Sequence, residues 1–144
     1  MIEFISAEQT LPLRNEILRN GKLLLEDCRF EGDEAAEAFH VGYFKEGQLI
    51  AVVSFLPQGR EGFSGMGYRL RGMAVLPEYR KKGIGNLIAN FGVLYLKGKK
   101  VSYVWCDARK VAYSFYLGQG FEFISEEFEI QNIGPHRVMY LKLS

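Results

Sequence analysis

Arg80-Lys81-Lys82-Gly83-Ile84-Gly85 is the run whose residue types and spacing most directly imply chemistry. The apolar stretch Met73 to Leu76 precedes it, Pro77 closes that stretch, and a helical pattern begins just after the two glycines. The order is strand, turn, helix. At such a junction the first N–H groups of the helix have no carbonyl partner and the helix end carries partial positive charge. Gly83 and Gly85 let an anion approach the backbone, and Arg80, Lys81 and Lys82 add charge around it. The implied chemistry is diphosphate binding. A P-loop would need four residues between its glycines followed by Lys-Ser/Thr, and a dinucleotide fingerprint would need a third glycine where Ile88 stands. Neither pattern fits.

The run does resemble the R/Q-x-x-G-x-G/A signature of the GNAT superfamily of N-acetyltransferases. Downstream, Ala112-Tyr113-Ser114-Phe115-Tyr116-Leu117-Gly118-Gln119-Gly120-Phe121 is similar to that family's A-x-x-F-Y-x-x-x-G-F. A wider similarity to small bacterial acetyltransferases runs through Glu31-Gly32-Asp33, Phe39-His40-Val41-Gly42, Arg69 to Ala74, Trp105 to Arg109 and Ile133 to His136. The resemblance implies an α+β, mixed α/β, GNAT acyl-CoA N-acyltransferase fold. That fold has a central mixed, mostly antiparallel sheet with a splayed parallel strand pair and helices on both faces.

It also implies acetyl-CoA as cosubstrate, with no metal, and direct attack of an amine in a ternary complex. Met73, Ala74 and Val75 would lie along the pantetheine arm, and the backbone of Arg80, Lys81, Lys82, Gly83, Ile84 and Gly85 would hold the diphosphate. Tyr116 would serve as the acid that protonates the leaving thiolate. A phenol near pKa ~10 can supply that proton to a thiolate of pKa ~8.5 only as the anion forms. In packing terms Phe115 and Tyr116 would instead seat a short helix on the sheet. Asp107 stands where many relatives carry asparagine near the cofactor. An ionised carboxylate cannot donate a hydrogen bond, so pairing with Arg109 or Lys110 is its alternative role.

The general base is not evident, because no acid lies between Tyr68 and Leu76. His40, His136, Glu31, Asp33 and a water chain are the candidates. His40, with an ordinary pKa near ~6.5, could serve as base, although a lone histidine on a strand is more often a hydrogen-bonded structural residue. His136 follows Gly134-Pro135 and reads as a substrate contact or a loop residue. Arg71, with Arg69 and His40, would favour an acceptor bearing an acidic group. Cys106 lacks an activating partner, since Asp107 would raise its pKa, and is read as structural.

Composition sets outer bounds. A chain of 144 residues, 48% hydrophobic and 24% charged, is expected to form a single domain spanning 1–144 with a real core. A formal charge of +1 calls for neither nucleic acid nor a membrane surface, although basic residues concentrate between Arg69 and Lys82. Two cysteines and no basic-then-apolar leader point to the cytoplasm. Expected partners are a small-molecule or protein amine, with a homodimer as the arrangement the resemblance implies is common. The competing reading is a catalytically silent acyl-CoA-binding or sensor module. A third, a nucleotide-dependent enzyme, follows from the phosphate turn alone.

The elements that would position these residues follow from periodicity and turn chemistry. Ile2 to Ile5 reads as a strand and Ser6-Ala7-Glu8-Gln9 as a capping box, followed by a helix with Leu11, Ile17 and Leu18 inward and Pro12 in its first turn. Lys22 to Ala36 reads as irregular. Phe39 to Phe44 and Leu49 to Leu56 form a hairpin, and Pro57 to Gly67 a glycine-rich loop. Tyr68 to Leu76 is the central strand. The following helix presents Ile84, Leu87, Ile88, Phe91, Leu94 and Tyr95 on one face, and Val101 to Cys106 completes a strand-helix-strand crossover. A short helix over Val111 to Leu117 precedes a last hairpin of Phe121 to Ile130 and Arg137 to Leu143.

Overall fold

The computed structural model describes residues 1–144. The chain divides into two compact units, Met1–Pro57 with Leu70–Gly92, and Gln58–Arg69 with Val93–Ser144.

In the first unit, strand β1 (Ile2–Ile5) leads into helix α1 (Ala7–Leu13), whose entry is the expected capping box. Ser6 Oγ accepts from the Gln9 N–H at 3.2 Å, and Gln9 Oε1 accepts from the Ser6 N–H at 2.8 Å. Pro12 does not lie in the first turn. It sits one residue before the end of α1, and Arg14–Leu18 continue as a π-helical turn. A proline there has no N–H to give to the carbonyl four residues back, so the regular ladder cannot run on. Asn20 (φ 55°) and Gly21 (φ 71°) then stop the helix. Residues 22–38 are irregular apart from a 3₁₀ turn over Leu25–Cys28. Strands β2 (Phe39–Lys45) and β3 (Gln48–Pro57) form the hairpin, with positive φ at Glu46 (52°) and Gly47 (81°) as a tight primed turn requires. The strand order is β1-β2-β3-β4, where β4 spans Gly67–Val75 and gives its last residues, Leu70–Val75, to this unit.

In the second unit the first residues of β4 pair in parallel with β5 (Tyr103–Arg109), and β5 pairs along its whole length, antiparallel, with β8 (Gly134–Lys142). Between them in sequence come α3 (Tyr113–Gly118), β6 (Glu122–Phe123) and β7 (Phe128–Ile130), both strands pairing with β8. The expected single arm from Phe121 to Ile130 is therefore broken at residues 124–127. Ser125 explains the break, because its Oγ accepts from the Val138 N–H at 2.8 Å and its carbonyl accepts from Arg137 Nε at 3.0 Å, replacing ladder bonds with side-chain ones.

Helix α2 (Ile84–Gly98) runs from one unit into the other. Its buried stripe is Ile84, Ile88, Ala89, Gly92, Val93 and Leu96, whereas Leu87, Leu94 and Tyr95 are exposed. Apolar residues cover so much of this helix that periodicity fits two stripes. Close approach selects the one with small residues: a Cβ on Gly92 would lie 2.1 Å from the Phe55 ring.

Candidate active site

The phosphate-type turn lies in the first unit, after β4. Pro77–Tyr79 form a 3₁₀ turn, and Arg80 Nε donates to the Val75 carbonyl at 3.2 Å, which ties the basic run back to the strand end. Lys81 (φ 62°) and Gly83 (φ 80°) are left-handed, a pattern that turns successive N–H groups to one side. Gly83 is needed for its φ rather than for space, since a Cβ there would meet nothing within 4 Å. The Leu87 N–H closes the first helical turn onto the Gly83 carbonyl at 3.0 Å, so those of Ile84 and Gly85 have no carbonyl inside the helix. Arg80, Lys81 and Lys82 are all exposed around them. Diphosphate fits this donor set.

Before that turn, β4 carries a feature the sequence reading did not identify. Gly72 has φ 69° in mid-strand, a left-handed conformation that a residue with a side chain rarely adopts. Met73 and Val75 are half-buried and alternate with buried Ala74 and Leu76. The parallel ladder with β5 covers only Gly67–Tyr103, Tyr68–Val104 and Arg69–Trp105, although both strands continue beyond it.

The first unit also buries a polar network that motif reading missed. Arg14, 1% exposed, makes a bidentate pair with Asp33 at 2.7 and 2.9 Å and also donates to the Cys28 carbonyl and Ser54 Oγ. Burial pushes the Asp33 carboxyl up, but the Arg14 hydrogen bonds, the Phe30 N–H and the Arg14 charge outweigh it and hold the group below the ordinary range. His40 Nε2 lies 3.1 Å from the Asp33 carbonyl, which can only accept, so Nε2 carries the proton and Nδ1 accepts from Ser54 at 2.7 Å. Burial lowers the His40 pKa against the opposing influence of Asp33. His40 and Asp33 thus spend their lone pairs and protons on each other's surroundings, while Glu31 is exposed.

Arg71 lies on β4, with its guanidinium 4.0 Å from the Phe30 ring centroid; that of Arg14 is 3.7 Å from the same centroid. A pocket of about 120 Å³ is lined there by Arg14, Arg19, Arg29 and Arg71, with Asp27 its only carboxylate.

In the second unit, Tyr116 on α3 is 6% exposed and packs against Phe115 and Phe121, with ring centroids 5.0 and 5.3 Å away. Burial, with a smaller contribution from Cys106, pushes its pKa well up, so the phenol keeps its proton. Cys106 is itself buried and its thiol pushed far up, first by burial and then by Asp107. Asp107 pairs with Arg69 at 2.9 Å, a partner outside the expected Arg109 and Lys110, while Lys110 lies 3.8 Å from Glu127. The Arg69 and Arg60 guanidiniums lie 4.9 and 5.0 Å from the Trp105 ring, and Trp105 Nε1 donates to the Gln58 carbonyl at 2.9 Å. His136 is a buried β8 residue rather than a loop residue; Nδ1 donates to the Gly134 carbonyl at 2.8 Å and the ring stacks on Phe128. Its register partners are Arg109 and Phe128.

The model of the Acetyltransferase (GNAT) family matches residues 5–121, a span that includes parts of both units. The chain is 37% identical over 143 residues to the Bacillus subtilis (strain 168) protein named uncharacterized N-acetyltransferase YitI, covering 99% of this chain and 95% of that one. Among solved structures it is similar to an aminoglycoside 6'-N-acetyltransferase complexed with coenzyme A, with TM-score 0.73, 14% identity and coverage of 100% and 97%. It is also similar to FeeM, an N-acyl amino acid synthase from uncultured soil microbes, with TM-score 0.81, 11% identity and coverage of 99% and 90%. The chain belongs to the GNAT family of acetyl-CoA-dependent N-acetyltransferases.

Proposed function

We propose that this chain, acting as one domain over residues 1–144, transfers the acetyl group of acetyl-CoA to a primary amine by direct attack within a ternary complex. The observation that carries the reading is the turn over residues 80–85. Two left-handed residues, three exposed basic side chains and the N–H groups of Ile84 and Gly85 at the start of α2 form a diphosphate cradle directly after β4. When bound, the coenzyme supplies an activated thioester. The backbone of Met73 and Val75 pairs with its pantetheine amides, Ala74 lies between them, and a backbone N–H near Met73 or Val75 polarises the carbonyl.

Tyr116 acts on the leaving sulfur. Its raised pKa makes full proton transfer to a thiolate of ordinary pKa ~8.5 uphill, so it acts by donating a hydrogen bond to the sulfur as negative charge develops there. His40 has both ring nitrogens engaged, and a water chain deprotonates the acceptor amine. Arg69 holds Asp107 away from any donor role. No helix is long and apolar enough to cross a membrane, and both cysteines are buried and free, which agrees with a cytoplasmic setting.

The test is thiol release from acetyl-CoA over a broad amine panel. Release that needs both an amine and the intact enzyme is the expected result. Coenzyme binding without release for any amine, unaltered by Tyr116→Phe, would instead support a silent binding module.

A further inference from the structure

We infer that the water chain which deprotonates the acceptor amine ends on Nε2 of His136, on the face of the sheet opposite Tyr116. This inference rests on the acetyl-transfer reading and specifies where the amine's proton goes. His136 Nδ1 lies 2.8 Å from the Gly134 carbonyl, which can only accept, so Nδ1 carries the ring proton and Nε2 presents a lone pair. Nε2 makes no hydrogen bond. The side-chain nitrogens that are both unpartnered and sealed from solvent are Arg14 Nε and Arg69 Nε, so His136 Nε2 opens to solvent although the residue as a whole is only 4% exposed. The ring is held in place by its bond to Gly134 and by stacking on Phe128, with centroids 6.0 Å apart.

Residues directly opposite one another on β5 and β8 point to the same face. Arg109 faces His136, Asp107 faces Val138, and Val138 packs with Trp105 and Tyr103, so His136, Asp107 and Trp105 share one face. Helix α3 lies on the other. Burial and then Cys106 raise the Tyr116 pKa, and a Cβ on Gly120, just past α3, would lie 3.5 Å from Leu141, the partner of Val104. The parallel ladder stops at Arg69–Trp105, so at Asp107 and Arg109 β5 has no partner on its β4 side. A thioester placed there meets the phenol from one face and leaves the other for the amine. On that other face only Oδ2 of Asp107 is taken, by Arg69, and Asp107 is the diagonal neighbour of His136, at about 7–8 Å, a gap that water spans. Arg109 can accept no proton, and of these side-chain types only imidazole takes up and releases one between pH 5 and 8. The amine lone pair bonds to the acetyl carbon, the C–S bond breaks with its electron pair going to sulfur, and the amine proton passes through water to Nε2. The imidazolium returns that proton to solvent, from which the thiolate is protonated.

The experiment pairs the kinetics of His136→Asn, whose amide N–H can still reach the Gly134 carbonyl while Nε2 is gone, with ring-nitrogen NMR of the histidine-labelled wild-type protein holding coenzyme A. In the variant kcat should fall at least about a hundredfold, the low end for base catalysis, while KM for acetyl-CoA and the melting temperature stay near wild type. The spectrum should show the His136 proton on Nδ1, and an amine that serves as acceptor should move the Nε2 signal toward that of a protonated ring nitrogen. A kcat near wild type, the opposite tautomer, or an Nε2 signal unmoved by every amine overturns the inference, and the spectra decide it if the variant does not fold. If no amine turns over, the acetyl-transfer reading has failed on this panel. An Nε2 signal moved by an amine then keeps His136 as the group that meets the amine side, and an unmoved one removes it.

Discussion

Arg14 and Asp33 form a buried bidentate ion pair, with side chains 1% and 2% exposed, joining the π turn after α1 to the irregular segment before β2. Removing one partner strands the other charge. Asp33→Ala should lower the unfolding free energy by about 3–5 kcal/mol, measured by denaturant titration. Replacing both, as Arg14→Met with Asp33→Leu, should recover much of that loss. A double variant no more stable than Asp33→Ala would show that the pair contributes through geometry the substitutes cannot supply.

The same network sets an acid limit. His40 has a lowered pKa in the folded protein, so the unfolded chain binds more protons in the window below an ordinary histidine value of ~6.5. Its contribution to stability is complete above that value and declines as pH falls toward the folded pKa. Asp33, also lowered, adds a second decline below about 3.9 as its carboxylate protonates. Thermal melts from pH 8 to 3 should fall in these two steps, and His40→Gln should remove the upper one.

Tyr116→Phe should reduce kcat by a factor on the order of 10², the low end for general acid catalysis, while acetyl-CoA affinity and melting temperature stay close to wild type. An unchanged kcat would return the phenol to a packing role against Phe115 and Phe121.

Gly83 bears on both stability and coenzyme binding. At φ 80°, Gly83→Ala should cost about 1–2 kcal/mol of stability and weaken acetyl-CoA binding as the N–H groups move out of line. Lys81→Ala and Lys82→Ala should leave stability unchanged and weaken binding in a manner that fades as salt is raised. Calorimetric titration at two ionic strengths distinguishes strain at Gly83 from charge at the lysines.

Local chemistry written in adjacent residues was legible in the sequence. The capping box at Ser6, the Glu46-Gly47 turn and the strand-turn-helix at Arg80 to Gly85 depend on neighbours, and each has the predicted form. The Arg14, Asp33, Ser54 and His40 cluster depends on residues up to 40 positions apart meeting in space, and nothing in their local pattern announces it. Arg14 belongs to no motif in the sequence, and it lies buried at the start of the π turn that follows Pro12. On α2, Leu87 and Leu94 fitted the helical period as well as Ala89 and Gly92 did, and only the Phe55 ring decides between them. Asp107 was judged against its chain neighbours, whereas its partner Arg69 comes from the adjacent parallel strand.

On the proposed mechanism, the turn from Arg80 to Gly85 grips the coenzyme by its diphosphate. Calorimetric comparison of acetyl-CoA with S-acetyl-pantetheine, which has the same thioester arm but no diphosphate, tests it most directly. Acetyl-CoA should bind at least about a hundredfold more tightly, with most of that margin lost in Lys81→Ala/Gly83→Ala. Equal affinity for the two ligands would contradict it.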